Sequence, residues 1–379
     1  MDLPIVRVPQ LCNIREEHSV LYFTIWDIDL SFINGLRRTI LSEINICHID
    51  SDFCTILKNT GHMHNELLKE RLLNIPVHVD YDKLEEFVNE YTLEINVVNK
   101  GDSVIYVTTK DFIVRTKATN EVLPFHIQNT LFPPNMYSND YIDFAKVHPG
   151  QSIIIQASFA INNMKFNGAF NVVSLCTFMN TQNMDLVQST WNMMEREQIA
   201  LMTSDENIAF LKNNFFSLDA ERIVVRDSYD FSIESVLYPN KIVVQLACSV
   251  LIAKCQKYIL SNNNEDAVNN NNNNKNPAIR IQVSPVLMEN SYDIVLVNET
   301  DTLGNIFTHL LYRYLCKETS YLEYCGFCHF HPHELDSTIR IAFKEKKDDE
   351  IVQYNCRVLI SNAAKYSLHV FQHISDYLT

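Results

Sequence analysis

The chain has 379 residues, 46% of them hydrophobic, which is enough for a sizeable core and more than one domain. Its formal net charge of −15 argues against direct nucleic-acid binding, because phosphate contacts need clustered Lys and Arg. The first ten residues contain no apolar core of signal-peptide length, and Asp27 and Asp29 interrupt the only early apolar run. With ten scattered cysteines, which we expect to be reduced thiols, the composition predicts an intracellular protein without membrane contact.

The first strong pattern is the segment DLSFINGLRRTILSE, residues 29–43, which follows an alternating, strand-like stretch at Ser19–Ile28. As a helix it would carry one apolar stripe, made of Ile33, Leu36, Ile40 and Ile44 with Leu41 beside it. Asp29 or Ser31 would cap its first turn. Arg37 falls at the margin of the stripe and Arg38 points away from it. A marginal arginine either extends outward into water or contacts a partner.

Further elements follow before residue 261. The sequence predicts a short helix around Leu67–Leu72 that ends near Pro76. A β-rich middle follows, with strands at Tyr91–Val98, Ser103–Thr109 and Ser152–Phe159. A strand at Ser228–Val236 and an almost wholly apolar helix at Ile242–Leu260 close this part. The segment Asn167–Asp219 gives no clear pattern.

The tract Ser261–Asn276, SNNNEDAVNNNNNNKN, has almost nothing to bury and predicts a disordered tether. Beyond it, strands at Ile279–Val283 and Tyr292–Val297 precede a helix at Asp301–Leu315, capped by Asp301 or Thr302. A strand at Thr338–Phe343 leads into a helix from Asp348 onward. That helix carries a heptad seam, formed by Val352, Cys356, Leu359, Ala363, Tyr366 and Val370. Both parts thus run strands, helix, strands and terminal helix, which predicts an intramolecular pseudo-dimer.

The strings DLSFINGLRRTILSEI, HIDSDF and NTGHMHNELLKERLLNIPV resemble the opening of the alpha-like subunits of multisubunit RNA polymerases. These include the bacterial alpha N-terminal domain and the third-largest subunit of eukaryotic RNA polymerase II. The matching positions are Asn34, Leu36, Arg37, Arg38, Glu66, Arg71, Leu72, Ile75 and Pro76. IYVTTKDFIV, VHPGQSIIIQASFAINN and DSYDFSIESV resemble later strands of the same family.

After the tether, NETDTLGNIFTHLL and FCHFHPHELDSTIRIAF resemble the small eleventh subunit of the same enzyme, with Leu303, Gly304 and Asn305 matching its signature directly. The resemblance therefore implies an α+β protein, the alpha-like dimerisation fold built as an intramolecular pseudo-heterodimer. Its expected parts are an alpha-like domain (1–50 and 166–260), an inserted β-rich domain (51–165), the linker (261–276) and an eleventh-subunit-like dimerisation domain (277–379). Such a fusion resembles the arrangement in large double-stranded DNA viruses.

The resemblance implies a non-catalytic assembly subunit of a DNA-dependent RNA polymerase, which pairs its halves and docks the two largest catalytic subunits. Other small polymerase subunits would be further partners, and DNA would be reached only through the complex. We expect no cofactor and no homodimer; a viral protein would act in the host cytoplasm, in the virus factory, and be packaged in the virion. The interface candidates are Asn34, Leu36, Arg37, Arg38, Glu66, Arg71, Leu303, Gly304, Asn305 and Leu310.

Catalytic signals are weak. Nucleotide addition needs two Mg²⁺ ions held by clustered carboxylates, and Asp27 and Asp29 have no third acid near them in the sequence. The sequence shows neither a glycine-rich phosphate loop nor a G-x-S-x-G elbow.

The segment CGFCHFHPH offers a rival interpretation. Cys325 and Cys328 with His331 or His333 could bind zinc, and C-x-x-C-H and C-G-x-C are also haem-attachment and thioredoxin patterns. In an extended backbone the two cysteines face opposite sides, unless Gly326 makes a turn. The four-cysteine zinc loop of many third-subunit relatives is not expected, because residues 51–165 contain only Cys54.

His62 and His64 fall in a loop by the same resemblance and are expected at the surface. Two alternatives to a polymerase subunit stay open: a zinc- or thiol-dependent protein centred on Cys325 and Cys328, and a self-assembling scaffold unrelated to transcription.

Overall fold

A computed structural model describes residues 8–135, 137–201, 205–259, 278–285, 288–331, 333–345 and 349–378. The predicted tether Ser261–Asn276 lies outside the described residues. Within them the chain mixes helices and strands, so the expected combination of both is confirmed. No helix in the described ranges is both long and apolar enough to cross a membrane.

The strands are β1 (Gln10–Glu17), β2 (Val20–Trp26), β3 (Ile46–Asn59), β4 (Tyr91–Val98), β5 (Ile105–Thr108), β6 (Phe112–Thr116), β7 (Asp143–Val147), β8 (Ser152–Asn162), β9 (Val173–Gln182), β10 (Val224–Ser235), β11 (Ile279–Val283), β12 (Ser291–Leu296), β13 (Leu322–Cys328) and β14 (Ser337–Phe343). The helices are α1 (Leu30–Ser42), α2 (Asn65–Leu73), α3 (Leu84–Glu90), α4 (Phe125–Leu131), α5 (Met184–Ala200), α6 (Asp205–Asn214), α7 (Asn240–Gln256), α8 (Asp301–Leu311) and α9 (Asp349–Asp376).

The chain divides into two compact units. Unit 1 comprises Met1–Thr39, Cys176–Ile233 and Val244–Thr379, and unit 2 comprises Ile40–Leu175 and Glu234–Val243. Unit 1 thus draws on chain from both sides of the predicted tether. The finer domain boundaries expected from the sequence stay a prediction.

Unit 1 contains two sheets that share one topology. Among the described strands their orders are β1-β2-β10-β9 and β11-β12-β14-β13, so each sheet places its strands as first, second, fourth, third. In each half a helix follows the second strand, α1 or α8, and another follows the fourth, α7 or α9. The same succession of elements therefore occurs twice within one compact unit.

Alternation along the central strands gives each sheet an apolar face. β2 pairs antiparallel with β10, where the rings of Phe23 and Phe231 stack with centroids 5.2 Å apart. In the second sheet β12 pairs antiparallel with β14, which brings the buried Ile294 opposite Ile339. Such a face must be covered by apolar helices, because an uncovered sheet of this composition would leave large apolar areas in water.

The helices of unit 1 carry the predicted apolar faces. The heptad seam of α9 is buried throughout, at Val352, Cys356, Leu359, Ala363, Tyr366 and Val370. In α7 the completely buried side chains recur at steps of three and four and line one face of the helix, whereas Ile242 on the opposite side is 41% exposed; the buried residues are Val243, Val244, Ala247, Cys248, Leu251 and Cys255.

Two details of the predicted helices are wrong. The helix containing the N-G-L-R-R motif ends at Ser42, so Ile44 is buried beyond the helix and does not extend its stripe. The helix α8 is capped by Thr300, without a side-chain hydrogen bond. Contrary to the prediction, neither Asp301 nor Thr302 is the cap, because both already lie inside the helix. Its α-helical part ends at Leu311, and Tyr312–Glu318 forms a π-helical turn.

The segment without a clear sequence pattern forms β9 and a helical pair, α5 and α6. A small separate cluster of Val187, Trp191, Phe215 and Ala220 is buried there. The indole of Trp191 packs on the ring of Phe215, with centroids 5.7 Å apart. The core between α5 and α6 is therefore a small cluster around aromatic side chains rather than a continuous apolar stripe along either helix.

Unit 2 contains the predicted β-rich middle. Among its described strands one sheet has the order β3-β8-β4-β6, and β5 and β7 form a two-stranded ribbon. The strand predicted at Tyr91–Val98 is β4. The short helix α2 ends at Leu73, ahead of Pro76 as expected. Leu68 and Leu72 of α2 are fully buried in the core of this unit.

A charge placed inside unit 1 should unfold it. Leu310 is fully buried on α8, so Leu310→Asp should lower the free energy of unfolding by about 4 kcal/mol or more, since a buried unpaired carboxylate is costly. The matched control is Asn305→Asp, an exposed position on the same helix, which should cost less than about 1 kcal/mol. Chemical denaturation of both variants measures the difference, and equal stability would contradict the packing described for α8.

Candidate functional site: the seam between α1 and α8

The helices α1 and α8 meet closely at Gly35. A Cβ built on Gly35 would lie 2.8 Å from Cδ1 of Ile306 and 3.5 Å from Cγ2 of Thr302. Ile306 is completely buried, so it has little room to retreat. The missing side chain at Gly35 therefore allows the two helices to approach. We call this contact the α1–α8 seam, comprising Asp29, Gly35, Arg38, Asp301, Thr302, Ile306, His309 and Arg313.

Arg38, not Arg37, joins the two helices. Its Nε donates to Oγ1 of Thr302 over 3.1 Å, and its Nη2 lies 3.8 Å from Oδ2 of Asp301. Arg37 instead donates from Nε and Nη2 to the side-chain oxygen of Asn34 on its own helix. The sequence placed Arg38 away from the apolar stripe correctly, but α8 lies on that side of α1, which periodicity in one helix cannot reveal.

Asp29 forms the second polar contact of the seam. Nη1 of Arg313 donates to its Oδ1 over 2.6 Å, and Nε2 of His309 lies 3.3 Å from the same oxygen. Burial by itself would lower the pKa of Arg313, but the Asp29 carboxylate and other nearby groups raise that pKa overall. The guanidinium thus stays charged, and only 15% of the Asp29 side chain is exposed.

An aromatic cluster from α9 closes one end of the seam. The ring of Phe32 lies 5.6 Å from that of Phe371 and 6.2 Å from that of Tyr366, measured between centroids. The hydroxyls of Tyr314 and Tyr366 are 3.2 Å apart in the interior. Burial, and then the hydrogen bond with Tyr366, raise the pKa of Tyr314, so the phenol of Tyr314 stays neutral.

A groove of about 590 Å³ runs alongside the seam, with walls from α1 and α8. Two large side chains on its walls are well exposed, Leu30 at 53% and Tyr312 at 43%. Asn34, Arg38 and Asn305 add polar groups to the same groove. Such a mixture of apolar and hydrogen-bonding side chains can hold a segment of another protein, and it contains no paired acids positioned for general acid–base chemistry.

Most candidates from the sequence fall around this seam. Leu36, Leu303, Gly304 and Leu310 are buried in unit 1. Gly304 is required locally, because a Cβ there would overlap the ring of Phe327 on β13. Glu66 and Arg71 belong to unit 2, on α2, and both are exposed; Arg71 donates to the backbone oxygen of Asp143 over 2.8 Å. Gly35, Ile306 and Arg313 were not among the sequence candidates, because their contacts join residues far apart in the chain.

The rival zinc or thiol site is not supported. β13 stays extended through Cys328, and its buried Cys325 points toward the backbone oxygen of Thr308, 3.8 Å away. Burial raises the pKa of Cys325. Nowhere in the described ranges do three or more His, Cys, Asp or Glu side chains converge in a geometry that could hold a metal ion.

The ion pair between Asp29 and Arg313 provides a direct test of the seam. Asp29→Asn removes the charge that faces Arg313 and should lower the free energy of unfolding by about 2 kcal/mol, because the guanidinium is left partly buried without a counter-charge. The control is Asp27→Asn, an exposed residue with a φ of 57° that asparagine also tolerates. It should change stability by less than about 0.5 kcal/mol in the same denaturation series.

Comparison with known proteins finds similarity to polymerase subunits. No protein-family model matches it. It is 22% identical over 287 residues to the human DNA-directed RNA polymerases I and III subunit RPAC1, covering 65% of this chain and 82% of the relative. The Dictyostelium discoideum subunit of the same name is 32% identical over 158 residues, or 38% of this chain and 44% of the relative.

The DNA-directed RNA polymerase subunit Rpo3 of Thermococcus kodakarensis is 30% identical over 89 residues, which covers 22% of this chain and 33% of the relative. These relatives agree with the resemblance carried by the N-G-L-R-R helix. The chain is therefore related to alpha-like subunits of multisubunit DNA-directed RNA polymerases.

Proposed function

We propose that this chain is a non-catalytic assembly subunit of a DNA-directed RNA polymerase. In this proposal the residues before and after the tether act as a fused third- and eleventh-subunit pair, and α1 and α8 hold the two together. The observation that carries it is the repeated topology of unit 1, in which two sheets of equal strand order each contribute a helix to the seam. The similarity to polymerase subunits supplies the biochemical context.

Fusion has a physical advantage for such a pair. Joining the two halves in one chain makes their association intramolecular, with an effective concentration of roughly millimolar, so no bimolecular step limits formation of the seam. In the proposal the domain limits follow those expected from the sequence, and the β-rich insertion at 51–165 falls within the continuous part of unit 2.

The two largest polymerase subunits would dock on the groove beside the seam. Leu30 and Tyr312 offer exposed apolar surface there, and Arg38 adds a half-exposed guanidinium that can pair with a carboxylate. This groove combines surface from both halves, so a partner bound there would recognise only the assembled pair. The negative net charge leaves contact with DNA to other subunits.

The proposal extends to where the protein acts. A polymerase subunit works inside the cell, and a fused subunit of the kind found in large DNA viruses would work in the host cytoplasm and travel in the virion. No described feature favours the zinc or thiol alternative, so we propose no second function.

Affinity purification of the tagged full-length chain from the cells that produce it tests the role. We expect the two largest polymerase subunits to be identified by mass spectrometry at near-equal amounts, and RNA synthesis by the complex but not by the chain alone. Nucleotidyl transfer by the isolated chain would contradict the proposal, as would a homo-oligomer purified without polymerase subunits.

A charge in the groove should separate docking from folding. Leu30→Glu replaces an exposed residue, so we expect an unchanged Tm but a loss of at least about tenfold in recovery of the large subunits. Met193→Glu is the control, since this residue is 65% exposed on α5 and does not line the groove. Full recovery with Leu30→Glu would place the docking surface elsewhere.

A further inference from the structure

The two helices of the seam occupy equivalent places in the repeated topology. Each follows the second strand of its sheet, and α8 begins at Asp301, 271 residues after α1 begins at Leu30. At this offset Arg38 corresponds to His309, each the ninth residue of its helix. Gly35 corresponds to Ile306 in the same way.

The polar contacts of the seam follow an approximate two-fold symmetry. Arg38 on α1 reaches the beginning of α8, at Asp301 and Thr302. Its counterpart His309 on α8 reaches the beginning of α1, at Asp29. In an isologous contact of this kind, a residue on the symmetry axis meets its own counterpart. Gly35 and Ile306 are counterparts and are in contact, so they lie at the axis.

The contacts of Arg38 and His309 do not decide which helix pairs with which. If α1 met the α1 of a second copy, Arg38 would face Asp29 in both directions, because His309 faces Asp29 here. If α8 met a second α8, His309 would face Asp301 or its neighbour in the same way. Both like-with-like pairings would therefore keep a polar contact at these two positions, although Arg313 would face Thr300 instead of Asp29 in an α8–α8 pairing.

The residues at the symmetry axis, Gly35 and Ile306, do distinguish the α1–α8 pairing from the two like-with-like pairings. Two Ile306 side chains would overlap in an α8–α8 pairing, since even one methyl carbon at the facing position would lie 2.8 Å from Cδ1 of Ile306. Two Gly35 residues in an α1–α1 pairing would leave a void where the Ile306 side chain now packs. Only the unlike pair fills the space without overlap.

We propose that Gly35 and Ile306 form a hole and a knob that make the seam selective, so that α1 accepts α8 of this chain and rejects the α1 of a second copy. The shape at this one crossing point provides a selectivity that the Arg38 and His309 contacts do not. It concerns unit 1 alone and holds whether or not the chain joins a polymerase.

The test uses the purified full-length chain in four forms: the natural sequence, Gly35→Ile, Ile306→Gly, and the double exchange. Gly35→Ile reproduces the Ile–Ile crossing inside one chain, and Ile306→Gly reproduces the Gly–Gly crossing. We expect each single variant to lower the Tm by about 5 °C or more. The double exchange restores one knob and one hole, so it should regain at least half of the summed loss. Losses that simply add in the double variant would overturn the proposal.

A milder pair covers the case in which Gly35→Ile does not fold. Gly35→Ala should lower the Tm in the natural background, because its Cβ meets Cδ1 of Ile306. Ile306→Val removes that carbon, and in this background Gly35→Ala should raise the Tm, since alanine is the better helix former. A shift of the same sign in both backgrounds would show that only helix propensity is measured, and would overturn the proposal. Neither experiment depends on polymerase subunits, so its outcome is independent of the docking tests.

Discussion

The close approach of α1 and α8 is the constraint on which unit 1 depends. Each sheet has an apolar face that its own helices cover, and α8 buries Leu303, Ile306, Phe307 and Leu310 completely. Burying one such side chain is worth about 1.5–3 kcal/mol, whereas a half-exposed ion pair such as Arg38–Asp301 contributes at most about 1 kcal/mol. Apolar packing therefore provides the stability of the seam, and the polar contacts at its ends orient the helices.

The two sides of α1 and α8 differ in exposure. Their buried sides pack within unit 1, and their outer sides form the groove with Leu30 and Tyr312 exposed. All ten cysteines are free, and burial raises the pKa of Cys176 and Cys356 to about 12. This exposed groove is the surface on which the proposed docking of partner subunits rests.

Much of the fold follows from local patterns. The 4–3 spacing in α9 predicted a row of heptad positions, and every one of them is buried. The strand predicted at Tyr91–Val98 begins and ends at the same residues in the structure. Prediction failed where non-local contacts take over. The π-helical turn at Tyr312–Glu318 aims Arg313 at Asp29, and nothing in its own sequence signals that geometry. The pair α5 and α6 was missed because Trp191 organises its core without a periodic stripe.

The sequence by itself determined that α1 and α8 are amphipathic helices, that they occupy equivalent places in two repeated halves, and that the chain resembles polymerase subunits. It also marked Arg37 and Arg38 as candidates, since residue type and spacing are local properties. Only the tertiary structure decided that Arg38 reaches Thr302 while Arg37 stays with Asn34, and that Gly35 faces Ile306. The reason is physical: helical periodicity fixes which side of a helix a residue occupies, whereas the element that covers this side is fixed by packing between residues more than 260 positions apart.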